Sequence, residues 1–140
     1  MFCIRPSPAS TLIAALFAAA CSSSTAPEAG IEIRPSAPAF TRTTPGSDQI
    51  PYSVLNTGAK PVLITTRCGD RLTPSVQRRE GGQWLRYSGD VCITMLPMGP
   101  VPIAAGARRE DVAFVAEAGQ YRLVLGTEHG PVVSSTFTVR

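Results

Sequence analysis

The chain has 140 residues, with 13 basic and 10 acidic side chains, a formal net charge of +3 and one histidine. That charge is too slight to imply nucleic-acid binding. A single histidine excludes a blue-copper site, which takes two. Thirteen prolines and twelve glycines argue against long helices.

The first element is an apolar run from Thr11 to Ala20. Met1 to Ser10, with Arg5, precedes it, and Cys21 and the polar stretch Ser22 to Glu28 follow. A charged start, a short apolar middle and small residues at a cut make a secretory signal. The run falls short of the about 20 residues a membrane span needs. Ala18-Ala19-Ala20-Cys21 resembles the lipobox of bacterial lipoproteins, although Ala18 stands where that family usually carries leucine. The resemblance implies a signal peptide over 1–20 and a lipid on Cys21. It also implies a place in the bacterial cell envelope, on the periplasmic face of the outer membrane in a Gram-negative cell. Ordinary secretion after Ala20 is the alternative. With Cys3 removed and Cys21 lipidated, Cys68 and Cys92 remain to pair as a disulfide in an oxidising compartment. Closing a loop of about 25 residues would stabilise the fold by roughly 3.5 kcal/mol. A metal or redox role is the other reading, but no Cys-x-x-Cys spacing exists.

Residues 21–38 are rich in Ser, Ala, Pro and Glu and read as a flexible tether. Ile31-Glu32-Ile33 could open a strand, but Pro35 and Pro38 interrupt it. One domain is expected over 39–140. Ile50, Tyr52 and Val54 alternate with polar residues as a half-buried strand. Asn56 to Pro61 is dense in turn formers, and Val62 to Thr66 reads as the returning strand of a hairpin. Val76–Arg79 and Gln83–Tyr87 flank Glu80-Gly81-Gly82, a second hairpin. Val91 to Met95 is a short strand. Pro100 to Gly106 is a proline-interrupted turn region, and a strand follows near 109–115. Tyr121, Leu123 and Leu125 share one strand face. After a turn over 126–131, Val133, Ser135, Phe137 and Val139 alternate to the C-terminal residue. Seven to eight short strands indicate an all-β antiparallel sandwich.

Glu117-Ala118-Gly119-Gln120-Tyr121 resembles the tyrosine corner of immunoglobulin-like domains, and Asn56-x-Gly58-x-x-Pro61-Val62 resembles their first hairpin. With the Gly-Gly-Gln-Trp hairpin and the Gly-x-Tyr-Arg-Leu strand, residues 40–140 look like the bacterial immunoglobulin-like and fibronectin-like domains of envelope lipoproteins. That family's functions vary, so the resemblance speaks to fold.

No catalytic set, metal site or cofactor site assembles from the residue types, and the expected class is non-enzymatic. His129 lies in a turn and reads as exposed. Ser134 and Ser135 lie in a strand rather than on a nucleophile elbow. Met95 and Met98 are soft-metal donors, and copper binding through them and His129 is a minor alternative. The proline-stiffened loop over 97–102 offers another, a protease inhibitor. Arg67, Arg71, Arg78, Arg79 and Arg86 cluster in sequence, facing either solvent or an acidic glycan, lipid or protein. Arg78 and Arg79 must point to opposite faces. Trp84 is expected as a core anchor. The expected function is a membrane-anchored binding or structural module with an envelope protein or glycan partner and no nucleic acid.

Overall fold

The computed structural model describes residues 30–43, 46–66, 69, 71–87 and 99–140. Cys21, Cys68, Cys92, Arg67, Met95, Met98 and the strand expected over 91–95 lie outside the described residues.

Among the described residues the fold is all-β, with two sheets. The smaller sheet has the order β1 (Ile31–Pro35), β3 (Asp48–Asn56), β8 (Arg108–Val115). The larger runs β2 (Ala39–Phe40), β11 (Phe137–Val139), β9 (Gly119–Thr127), β4 (Val62–Ile64), β7 (Val101–Ile103). Also on β9 are β10 (Gly130–Val133) and β5 (Ser75–Glu80), and β5 carries β6 (Gln83–Tyr87) at the edge. Every pairing is antiparallel except β2 with β11.

Alternation drives the packing. Ile50, Tyr52 and Val54 of β3 and Ala113 and Val115 of β8 are buried from one sheet. Tyr121, Leu123 and Leu125 of β9, with Phe137 and Val139 of β11, are buried from the other. Burying such side chains contributes about 1.5–3 kcal/mol each relative to exposure. The β5–β6 hairpin turns on Gly81 and Gly82, with φ of 55° and 84°. Two successive positive φ values are those of a type I′ turn, which only glycine adopts freely.

Four expectations need correction. The boundary at residue 38 is too late, because β1 is already in the sheet with Ile31 and Ile33 buried. Pro35 ends that strand rather than preventing it. Second, β3 and β4 form no hairpin: β3 belongs to the smaller sheet and β4 to the larger. The turn residues between them carry the chain across the sandwich. Third, a strand, β7, includes Pro102. It lies at the sheet edge, where a missing N–H is tolerated. Fourth, the C-terminal alternation is not continuous. Val133 is exposed while Ser134 is buried, and the parity changes before Phe137.

Asn56 secures the crossing between sheets. Fully buried, it donates from Nδ2 to the carbonyls of Lys60 (2.8 Å) and Ile103 (2.9 Å). Its Oδ1 accepts from the Gly58 N–H at 2.9 Å. Gly30 packs against the same turn: a Cβ there would lie 2.6 Å from the Gly58 nitrogen.

The tyrosine corner is present. The Tyr121 hydroxyl donates to the Glu117 carbonyl at 2.8 Å, tying the start of β9 to the loop that follows β8. Its ring stacks on Phe137 (5.8 Å) and meets Tyr87 edge-on (5.4 Å). Two facing sheets, this corner and the strand order together define an immunoglobulin-like β-sandwich.

Burial pushes the Tyr121 hydroxyl up to about 12. Its folded-state pKa therefore exceeds the unfolded value of about 10. The native state holds this proton more tightly, so the contribution is intact below pH 10 and falls away as pH rises through 12. The expected loss between pH 9 and 12 is about 2–3 kcal/mol. Urea unfolding at both pH values, in wild type and Tyr121→Phe, checks it. The phenylalanine variant should lack this component of the pH dependence.

Candidate binding face

The strand period of two decides which side chains face outward. Val76, Tyr121 and Leu123 are buried toward the other sheet. Gln77 and Arg79 of β5 and Gln120 and Arg122 of β9 therefore lie on the outer surface. Register extends this to β6, where Trp84 is opposite Arg79 and Arg86 is opposite Gln77. On the other side of β5, Gln77 is opposite Arg122. The result is a patch of three arginines, two glutamines and one tryptophan across three neighbouring strands.

The patch is internally braced. The Arg122 guanidinium carbon sits 4.5 Å above the Trp84 ring centroid. Such a cation–π contact is worth about 0.5–1 kcal/mol at an exposed site. Arg122 Nε also donates to Gln77 Oε1 at 2.8 Å. Arg79 Nη1 donates to Gln120 Oε1 at 3.3 Å. Each guanidinium is thus held by a neutral amide rather than a carboxylate, which leaves its charge uncompensated. Arg86 is exposed and makes no ion pair among the described residues. No Asp or Glu stands at an outward position of β5, β6 or β9. Glu80 is on the opposite face, 3.6 Å from Arg78.

Trp84 is therefore not the expected core anchor. It is half-buried on the outer sheet surface, and the buried core cluster does not include it. The reason is parity: Tyr87, opposite Val76, takes the inward position on β6.

The arginine cluster seen in sequence divides. Arg78 and Arg79 do point to opposite faces. Arg78 pairs with Glu117 and donates to the Ala118 carbonyl at 3.1 Å. Arg71 donates to Asp111 Oδ1 at 3.1 Å and to the Val112 carbonyl at 3.3 Å. Among the described members of that cluster, Arg79 and Arg86 share the patch. Arg122 was missed because it is remote in sequence, yet its place between inward Tyr121 and Leu123 already marked it as outward.

Other candidates serve the fold. His129 is exposed, 3.8 Å from Glu128 Oε1, and that carboxylate also accepts from the Leu63 N–H at 2.9 Å. Ser134 is buried; its Oγ accepts from the Leu123 N–H (2.9 Å) and donates to the Ser135 carbonyl (2.7 Å). A groove beside β3 and β8 contains Asp111. That carboxylate is engaged by Arg71 and the Leu72 N–H.

The fold and this surface together define an immunoglobulin-like sandwich with a cationic outer sheet face. No protein-family model matches the chain, and no curated protein matches it. Two solved structures are similar at low identity. One is a Pseudomonas fluorescens alkylpurine DNA glycosylase, AlkC, bound to DNA containing an abasic site analog: 8% identity, TM-score 0.42, 81% of this chain and 31% of that one. The chain thus spans about a third of the glycosylase. The other is the human ASH/PapD-like domain 7 of CEP192: 18% identity, TM-score 0.36, 79% of this chain and 82% of that one. Neither bears on the chemistry of the patch.

Proposed function

We propose that the chain is an envelope lipoprotein whose immunoglobulin-like domain binds a partner through its outer sheet face, without catalysing a reaction. The observation that carries the binding reading is the braced trio Arg79, Arg86 and Arg122, with no carboxylate at any outward position of their strands. Uncompensated charge on a preorganised surface steers an oppositely charged partner and contributes specificity. The anchor reading rests on the apolar run and Ala18-Ala19-Ala20-Cys21. A diacylglyceryl group there holds by about 0.8 kcal/mol per buried methylene, and two chains make attachment stable. A Cys68–Cys92 disulfide belongs to the same reading.

Two experiments test it. In fractionated cells the wild-type chain is expected with membranes, and its N-terminal peptide is expected to carry a lipid mass on Cys21. Cys21→Ala is expected in the soluble fraction; persistent sedimentation with membranes would sink the anchor. For the binding face, wild type and the triple variant Arg79→Ala/Arg86→Ala/Arg122→Ala are used to capture components from envelope extracts. At least one component should be retained by wild type and lost by the variant. Identical retention would remove the face from the function.

A further inference from the structure

We infer that the outer sheet face is a site for a carboxylated polysaccharide, a polyuronate-type polymer, read chiefly by Arg122, Arg79 and Arg86. This rests on the binding-face reading and adds the ligand class.

Three observations favour that ligand. The first is charge: three guanidinium groups occupy the face, and no outward acid on β5, β6 or β9 balances them. Arg122 is the centre. With its guanidinium over the Trp84 ring and its Nε–H donated to Gln77, its two Nη groups make no hydrogen bond among the described residues. A guanidinium fixed in this way presents a planar fork that matches the two oxygens of a carboxylate. Little side-chain freedom remains to be lost on binding, so the interaction is preorganised.

The second observation is spacing. Arg86 and Arg122 lie on strands either side of β5, in one cross-strand row through Gln77. Strands are about 4.8 Å apart, so their backbones are separated by about 10 Å. Arg79 lies diagonally between them, one pleat along. The charges thus form an open array that suits an extended polymer with a repeating carboxylate, rather than a single small anion. Between the charges lie neutral hydrogen-bonding groups: Gln77, Gln120 and, on the neighbouring β11, Thr138 opposite Gln120. Amides and hydroxyls are the partners that sugar hydroxyls require.

The third observation weighs against other acidic partners. The exposed large apolar side chains among the described residues are Leu63, Leu85 and Val133. Leu85 shares the opposite face of the hairpin with Arg78, and Val133 stands on β10 opposite Val124, one pleat beyond Arg122. A protein interface concentrates its energy in buried apolar and aromatic anchors. A bilayer-surface site needs apolar side chains to insert. Among the arginines the patch offers only Trp84, already half-covered by Arg122, and its apolar border is one cross-strand pair, Val124 of β9 with exposed Val133 of β10.

The test uses the full chain in detergent and immobilised polygalacturonate. Saturable binding is expected, weakening as salt is raised. Arg122→Gln should weaken it at least about tenfold, from the loss of a charge-assisted bidentate contact. The triple alanine variant should abolish it. Arg34→Ala, removing an exposed arginine on the other sheet, should bind as wild type. Thermal melts of the variants should stay within several degrees of wild type, because the substituted groups are outside the core and only the surface bracing is lost. A neutral polysaccharide should not bind, and the Cys21→Ala chain should not bind phosphatidylglycerol vesicles. No binding to polygalacturonate, or equal binding by the triple variant, overturns the assignment. Arginine-dependent binding to vesicles instead overturns it in favour of lipid headgroups. If polygalacturonate fails but the triple variant still loses an envelope component, the binding face stands and the glycan falls. If neither differs, both readings fall.

Discussion

Tyr121→Ala lowers the unfolding free energy by about 3–5 kcal/mol, read as a drop in urea midpoint. The ring is fully buried between Tyr87 and Phe137, so truncation leaves a cavity lined by aromatic edges. It also frees the Glu117 carbonyl and unties the loop between β8 and β9. Tyr121→Phe separates the two causes, since it keeps the ring and removes the hydrogen bond. Its expected cost is about 1 kcal/mol. An alanine variant as stable as the phenylalanine one would show that packing around this ring contributes nothing.

Asn56→Ala is expected to cost about 2–4 kcal/mol. The side chain alone satisfies donors and acceptors from three places: Gly58, Lys60 and Ile103. Without it the Ile103 carbonyl loses a partner in a buried setting, and the path from β3 to β4 loses its brace. Asn56→Asp should not rescue stability, because an ionised carboxylate has no donor for the two carbonyls. Urea unfolding of both variants checks this. Full rescue by aspartate would overturn the donor argument.

Where one period ruled a whole strand, sequence and structure agree. The alternation of Ile50, Tyr52 and Val54, and of Tyr121, Leu123 and Leu125, places all six in the core. Gly81-Gly82 likewise marks its hairpin, because two glycines take two successive positive φ values without steric cost. Failures occur where partner choice is set by distant residues. Asn56 to Pro61 has hairpin composition, yet the following strand joins the other sheet. Local turn chemistry specifies a reversal or a crossing equally well. β1 was partly legible: Ile31-Glu32-Ile33 suggested a strand, but Pro35 and Pro38 counted against it and left it in the tether. The burial of the two isoleucines depends on a five-residue pairing with β3. The candidate binding face was half legible. Arg79 and Arg86 stood in a visible cluster, but Trp84 was read by residue type, as a large aromatic suited to a core, rather than by parity. The parity of β6 alone would have put it outside.

The early start of β1 has a mechanical consequence. A pull applied at Gly30 is delivered first to β1, whose partner is β3 in the smaller sheet. A few residues on, β2 runs parallel to β11 in the larger sheet. The leading segment therefore laces both layers. Peeling it away strips the ladder from β3, uncovers Ile31 and Ile33, and then loads the β2–β11 pairing. Tension applied there loads a short local seam: seven paired residues, five on β1 and two on β2, with the flanking Ser36 and Arg42 N–H bonds to the Pro51 and Arg140 carbonyls.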